Sequence, residues 1–444
     1  MNFGKRGWFA TYLAYRQAHP FERRLPSSGV RMVEDPTVHN ESDEAIYYFL
    51  QPTGLLYGAP LDQPFPEQDY PGSEYHGTAE RAHLIFLEAL FASLVADREF
   101  LLEGLVDEAD RLAPAVDMAM EYFVNYPATD ARPGGALPDV RAWLYHFGRE
   151  RLRFEREISH RIRAAGDGTI LPQFFSANSF QFLELYHCLL WQRQRLIDPE
   201  FDLGTLHDLY AQQATQREAL LRLTIAVAHA DGVVSEPERV LIERLLSSAR
   251  LPAATETALR RAMVEGLRVE DVELPPMPWI IRRYVLELVL LTVMLDREVT
   301  PAEQETVAYM VERLGLWGEE RHQSQTALEM FLLDKGDRLH FLKRRPERGQ
   351  LREHLREKAT LALRRNMHRI VNEVRETQEL YALLNKATHT ALTPEEWKKV
   401  NAQLLDVMKT IPAVAIWALP GGGFVLPILI KLLPFNILPS SFKD

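Results

Sequence analysis

The chain has 444 residues, 62 acidic against 51 basic side chains, a formal net charge of −11 and 46% hydrophobic residues. That length allows two or three domains with separate cores, the composition excludes a disordered chain, and the acidic balance argues against direct DNA binding. One cysteine, Cys188, excludes an intramolecular disulfide framework and a cysteine-rich zinc site.

The opening MNFGKRGWFATYLAYRQAHPFERR carries charges and aromatics where a signal peptide would hold an unbroken apolar run. Most of the chain is therefore expected in the cytoplasm. Residues 1–80 are rich in Pro, Gly, Tyr and Asp, lack helical periodicity and predict an irregular lead-in. From Thr78, AERAHLIFLEALFASLVADREFLLEGLVDEADRL repeats apolar residues every three or four positions, the spacing of a helix. Helices continue to the C-terminal region, interrupted by Gly/Pro-punctuated loops at 126–140 and 164–180. Strand alternation is scarce, so the predicted class is all-α. His187 beside Cys188 has the composition of a nucleophile pair, but neighbours on a helix do not face each other. A buried structural role is expected there. PGGGF lacks the strand and the Lys-Ser/Thr of a phosphate loop, and neither HExxH nor GxSxG occurs, so no enzyme is expected.

An internal repeat spans 215–316. ADGVVSEPE (Ala230 to Glu238) follows the apolar LLRLTIAVAHA, and LDREVTPAE (Leu295 to Glu303) follows YVLELVLLTVM, at a constant offset of 65 residues. Ser235 with Glu238 and Thr300 with Glu303 have the spacing of capping boxes. Capping leaves Asp231 and Asp296 unexplained, because an acid at the end of the preceding helix opposes its dipole. A pseudo-two-fold arrangement would gather Asp231, Glu238, Asp296 and Glu303 into a four-carboxylate site for calcium or another hard divalent cation, though the spacing is not that of an EF-hand. Capping alone and a cation or basic-partner site both stand as readings. AHADGVVSEPE with LDREVTPAE resembles the tellurite-resistance TerB-like domain, over about 215–320. The resemblance implies an all-helical module with an acidic, cation-responsive surface in a membrane-linked stress complex, the role passing to those same four acids. Arg297 stands where the first copy has Gly232.

Between Arg338 and Arg375 there are twelve Lys or Arg against four Glu, and Leu363, Met367, Ile370, Val371 and Val374 fall on one helical face. Such a helix lies on anionic lipid, docks on a partner, or packs by its apolar stripe. TPEEWKKVNAQLLDVMK starts another helix, with Thr393 as N-cap, Pro394 in the first turn and Glu396 closing a capping box.

From Ile411 to Ile430, twenty residues carry no charge, enough for a membrane span, but Pro412, Pro420, Pro427 and Gly421-Gly422-Gly423 would break a soluble helix. Hydropathy allows a span, a re-entrant segment or a core hairpin. Pro412, Pro420, Phe424, Pro427, Lys431, Pro434 and Pro439, followed by Phe442, are similar to the membrane signature of the leucine-zipper and EF-hand-containing transmembrane (LETM) family, over about 390–444. That resemblance implies a membrane protein of cation and proton balance with a ribosome-binding region after the span. Gly423 occupies the place of the family's acidic residue, and the sequence stops at Asp444, before most of that region. The positive-inside bias then places 1–410 in the cytoplasm, and the TerB-like resemblance implies a bacterial origin, the chain held in the inner membrane by its tail.

The expected organisation is a helical region 1–205 with its lead-in, a TerB-like domain 206–330, a basic connector 331–390 and a LETM-like element 391–444. The expected function is non-enzymatic, membrane-anchored and linked to cation homeostasis, with lipid as partner. The alternative is a scaffold, binding a protein partner or the ribosome without transport.

Overall fold

The structure, a computed structural model, describes residues 6–21, 41–65, 78–102, 111–125, 151–158, 179–198, 203–232, 234–294, 300–335, 348–390, 392–411, 414 and 425–433. Every regular element among them is helical, so the all-α class holds. The chain divides into two compact units, Met1–Trp317 and Gly318–Asp444.

The first unit begins with two helices that the composition of the lead-in conceals: α1 (Trp8–Ala18) and α2 (Glu41–Leu50). α1 buries Trp8, Phe9, Tyr12 and Leu13 but also Arg16, so its inward face gives no clean apolar stripe. Its first turn is closed from a distance. The Glu155 carboxylate accepts from the backbone N–H groups of Gly7 and Phe9 at 3.0 Å each, on donors that a helix start leaves unsatisfied. After α2 come two 3-10 turns, Gln51–Thr53 and Leu55–Tyr57. They end at Gly58, with φ +61°, where a Cβ would stand 2.9 Å from that of Ser179. Only glycine fits that approach.

The unit continues with α3 (Thr78–Leu101), α4 (Leu112–Asn125), α5 (151–158), α6 (Gln181–Ile197), α7 (Leu203–Ala228), α8 (Glu236–Ser248), α9 (Ala253–Glu265), α10 (Trp279–Val293) and α11 (Pro301–Arg313). α6 packs against α3, α4 and α7, and α10 against α2 and α7. α10 buries every residue except Arg282, which marks a core helix. The expected loop at 126–140 lies outside the described residues, as does that at 164–180 except for Ser179 and Phe180, which form a turn.

The 65-residue repeat is a structural one. α7 packs on α10, α7 reaches the second copy's α11, and α10 reaches the first copy's α8. Ile242, Leu245, Leu246, Ala249 and Leu251 are all buried, as are Val307, Met310, Val311, Leu314 and Leu316 at the matching positions. Each second helix thus presents the same inward face.

In the second unit, α13 (Arg348–Glu376) packs with α12 (Gly318–Lys335), α14 (Gln378–His389), α15 (Pro394–Thr410) and α16 (Val425–Leu432). The predicted stripe faces this core: Leu363, Ile370, Val371 and Val374 are buried, with Met367 packed against them. The Thr393 capping box forms, Glu396 N–H donating to Thr393 Oγ1 at 3.2 Å and Thr393 N–H to Glu396 Oε2 at 3.0 Å.

The expected membrane segment finds no support among the described residues, where no helix is long and apolar enough to cross a membrane. The helix described there, α16, is eight residues long, against about twenty for a span. Its Val425, Leu429 and Ile430 join the core that holds Leu355, Leu363 and Ile370. Pro427 and Lys431 are exposed on α16. Pro412, Pro420, Phe424, Pro434 and Pro439, together with Gly423, lie outside the described residues.

Candidate functional site

The acidic turns are built as helix starts. Ser235 N–H donates to Glu238 Oε2 at 2.8 Å, and Thr300 N–H to Glu303 Oε2 at 2.6 Å, the reciprocal side-chain bonds completing both capping boxes. Glu238 and Glu303 are 2% and 4% exposed. Each therefore has one carboxylate oxygen committed to its own helix. Asp231 is exposed in its turn beside Gly232, while Asp296 and Arg297 lie outside the described residues. Among the described residues, no three His, Cys, Asp or Glu side chains are gathered as metal ligands.

His187 and Cys188 are both fully buried on α6. Gln216 donates to the carbonyl of Pro276 at 3.3 Å, which turns its Oε1 to His187 Nε2 at 2.9 Å. Burial lowers the imidazole from 6.5 to about 4 and pushes the Cys188 thiol up. The pair consists of a neutral histidine and a protonated thiol, each in the state that burial favours.

The sequence reading missed a set of charges inside the first unit. Arg16 donates through Nε to Glu88 Oε1 at 2.9 Å, and its Nη2 meets Glu88 Oε2, with both side chains fully buried. Arg217 Nη2 donates to Glu184 Oε1 at 2.8 Å and Nη1 to the carbonyl of Ala249 at 3.1 Å. Arg193 lies between Asp43 and Asp97, at 2.8 and 2.7 Å from Nη2. Ser42 donates to Asp97 Oδ1 at 2.7 Å and Tyr186 to Asp43 Oδ2 at 2.9 Å. Burial works against the Arg193 charge, but the two aspartates outweigh it and raise its pKa. On α10, Glu287 accepts from the hydroxyls of Tyr47 and Tyr57, the latter at 2.9 Å. Burial is the main cause that pushes both phenols up. The sequence holds no short-range signal for these pairs: Arg16 and Glu88 are 72 residues apart, Arg193 and Asp97 are 96.

The second unit buries the Glu329 carboxylate but holds a row of cations outside. On the solvent side of α13 stand Arg364, Arg365, His368, Arg369 and Arg375, all exposed. Three lysines of the unit are paired: Lys358 with Glu329 at 3.0 Å, Lys386 with Glu396 at 2.6 Å and Lys399 with Glu379 at 3.0 Å. What the arrangement offers chemically is a cationic face on an aliphatic module.

No family model, no curated protein and no solved structure matches the chain.

Proposed function

We propose that the chain is a non-enzymatic helical scaffold, in which an acidic first unit is joined to a basic second unit that folds its own tail into its core. One observation carries this reading: Val425, Leu429 and Ile430 of the tail share a core with Leu355, Leu363 and Ile370 of the basic helix. An apolar face used in that way is withdrawn from lipid. The TerB-like repeat fits a scaffold, since Glu238 and Glu303 serve helix caps in its two copies.

A second reading keeps the LETM resemblance, a tail in the inner membrane and a link to cation homeostasis. The twenty uncharged residues from Ile411 to Ile430 favour it. Alkaline-carbonate extraction of membranes from cells expressing the full chain separates the two. The scaffold washes off, and a version stopped after Thr410 is digested faster at α13, because its core is uncovered. A full chain that stays in the pellet while the shortened one washes off establishes the anchored reading and ends the first.

A further inference from the structure

Among the described residues, nothing covers the outer face of α13 at Arg364, Arg365, Arg369 and Arg375. Its apolar stripe is spent in the core, so the helix cannot sink an apolar face into lipid as an interfacial amphipathic helix does. What remains outward is charge. No acidic residue occurs from Lys358 to Asn372, and the described residues place no carboxylate within ion-pair distance of Arg364, Arg365, Arg369 or Arg375.

The wider charge distribution points the same way. The Gly318–Asp444 unit carries 20 Lys or Arg against 15 Asp or Glu, whereas Met1–Trp317 carries 31 against 47. Among the described residues, four arginines without an ion-pair partner thus stand together on one helix of the basic unit, in a chain of net charge −11. Such a polarised chain meets an anionic surface with that unit, the acidic unit being repelled from it.

We infer that the Arg364, Arg365, Arg369 and Arg375 face of α13 docks on the phosphate headgroups of an anionic bilayer without inserting. Two features favour lipid over RNA. α13 carries no Phe, Tyr or Trp for bases to stack on, while the cationic face includes Leu361, 54% exposed, as an interfacial contact. The inference rests on the scaffold reading, in which the tail is not the anchor.

The test is sedimentation of the full chain with vesicles of phosphatidylcholine alone or mixed with phosphatidylglycerol, for the wild type and for Arg364→Gln, Arg365→Gln, Arg369→Gln combined. The wild type is expected to bind the mixed vesicles, to ignore the neutral ones and to release as salt rises. Each basic residue near an anionic surface is worth about fivefold in partition, so the triple variant loses about a hundredfold. Its melting temperature stays in place, because all three side chains are exposed. Equal partition of variant and wild type overturns the inference, as does binding that does not distinguish the two lipids. Salt-insensitive binding to both vesicles, unchanged in the variant and resistant to carbonate, shows an inserted tail and removes the scaffold reading as well. Arginine-dependent sedimentation with ribosomes and none with vesicles assigns the face to RNA and also overturns it; the scaffold reading then survives.

Discussion

In the first unit, helices distant in sequence meet over charge: Arg16 on Glu88, Arg217 on Glu184, Arg193 between Asp43 and Asp97. In the second they meet mainly over Leu355, Leu363, Leu404 and Leu429, with one buried carboxylate, Glu329 of α12, on Lys358 of α13, and the arginines of α13's outer face stay outside. A buried ion pair adds little over an apolar pair of the same shape, but it penalises every arrangement in which one partner is missing. In the first unit such pairs penalise any arrangement that parts α1 from α3, α6 from α2 and α3, or α6 from α7. The second, held mainly by aliphatic contacts, leaves the arginines on the outer face of α13 available to something outside the chain.

The largest effect that would break this comparison is at Glu88. Glu88→Ala leaves the Arg16 guanidinium buried without its carboxylate and is expected to cost about 4 kcal/mol. Hydrogen exchange should show α3 and α6 opening at lower urea while α13 and α15 keep their protection. Arg16→Met with Glu88→Leu should recover most of the loss. A single-variant cost no greater than that of an exposed pair would remove the contrast between the units.

Acid provides a second way to part them. His187 titrates at about 4 in the fold and near its ordinary 6.5 when unfolded, because burial disfavours its charge. Between those values the unfolded state takes up a proton that the folded state refuses. This contribution to first-unit stability is whole above pH 6.5 and falls as pH drops to 4, by up to about 3 kcal/mol. Among the described residues the second unit buries no histidine, so its transition should lack this slope. His187→Gln, followed by urea unfolding across that window, should flatten the first unit's acid limb. An unchanged slope would move the proton uptake to another group.

Sequence reasoning recovered what is local. The three capping boxes at Ser235, Thr300 and Thr393 formed where hydroxyl and glutamate stand three apart, and the buried stripe of α13 followed from its period. α1 escaped because Arg16 faces inward, and the ion pairs escaped because only the fold brings their partners together. The tail illustrates a different limit. Valine, leucine and isoleucine are equally suited to lipid and to a protein core, so an uncharged run does not say which solvent it meets. Five residues of the run, Ile411, Val414, Val425, Leu429 and Ile430, joined the core that α13 lines.

The smallest prediction sharpens a comparison within the first unit, between the two copies of its repeat. α8 and α11 end in the same left-handed turn, at Arg250 with φ 53° and Gly315 with φ 61°. The second copy closes it with Leu316 N–H on the carbonyl of Val311 at 3.0 Å, a helix ending that favours glycine. An L-residue in that backbone region is strained by about 1 kcal/mol, which glycine relieves at some cost in unfolded-state entropy. Arg250→Gly should therefore raise stability by about 0.5 kcal/mol. Gly315→Ala should lower it by about 1 kcal/mol or more, since the new Cβ would lie 3.0 Å from Arg282 Nη1, which donates to the carbonyl of Leu314 at 3.0 Å. Urea midpoints moving in opposite directions would show that backbone conformation governs both turns. If both variants lose stability, the contacts of the Arg250 side chain outweigh its strain, and the two copies have diverged in how they end as well as in what they expose.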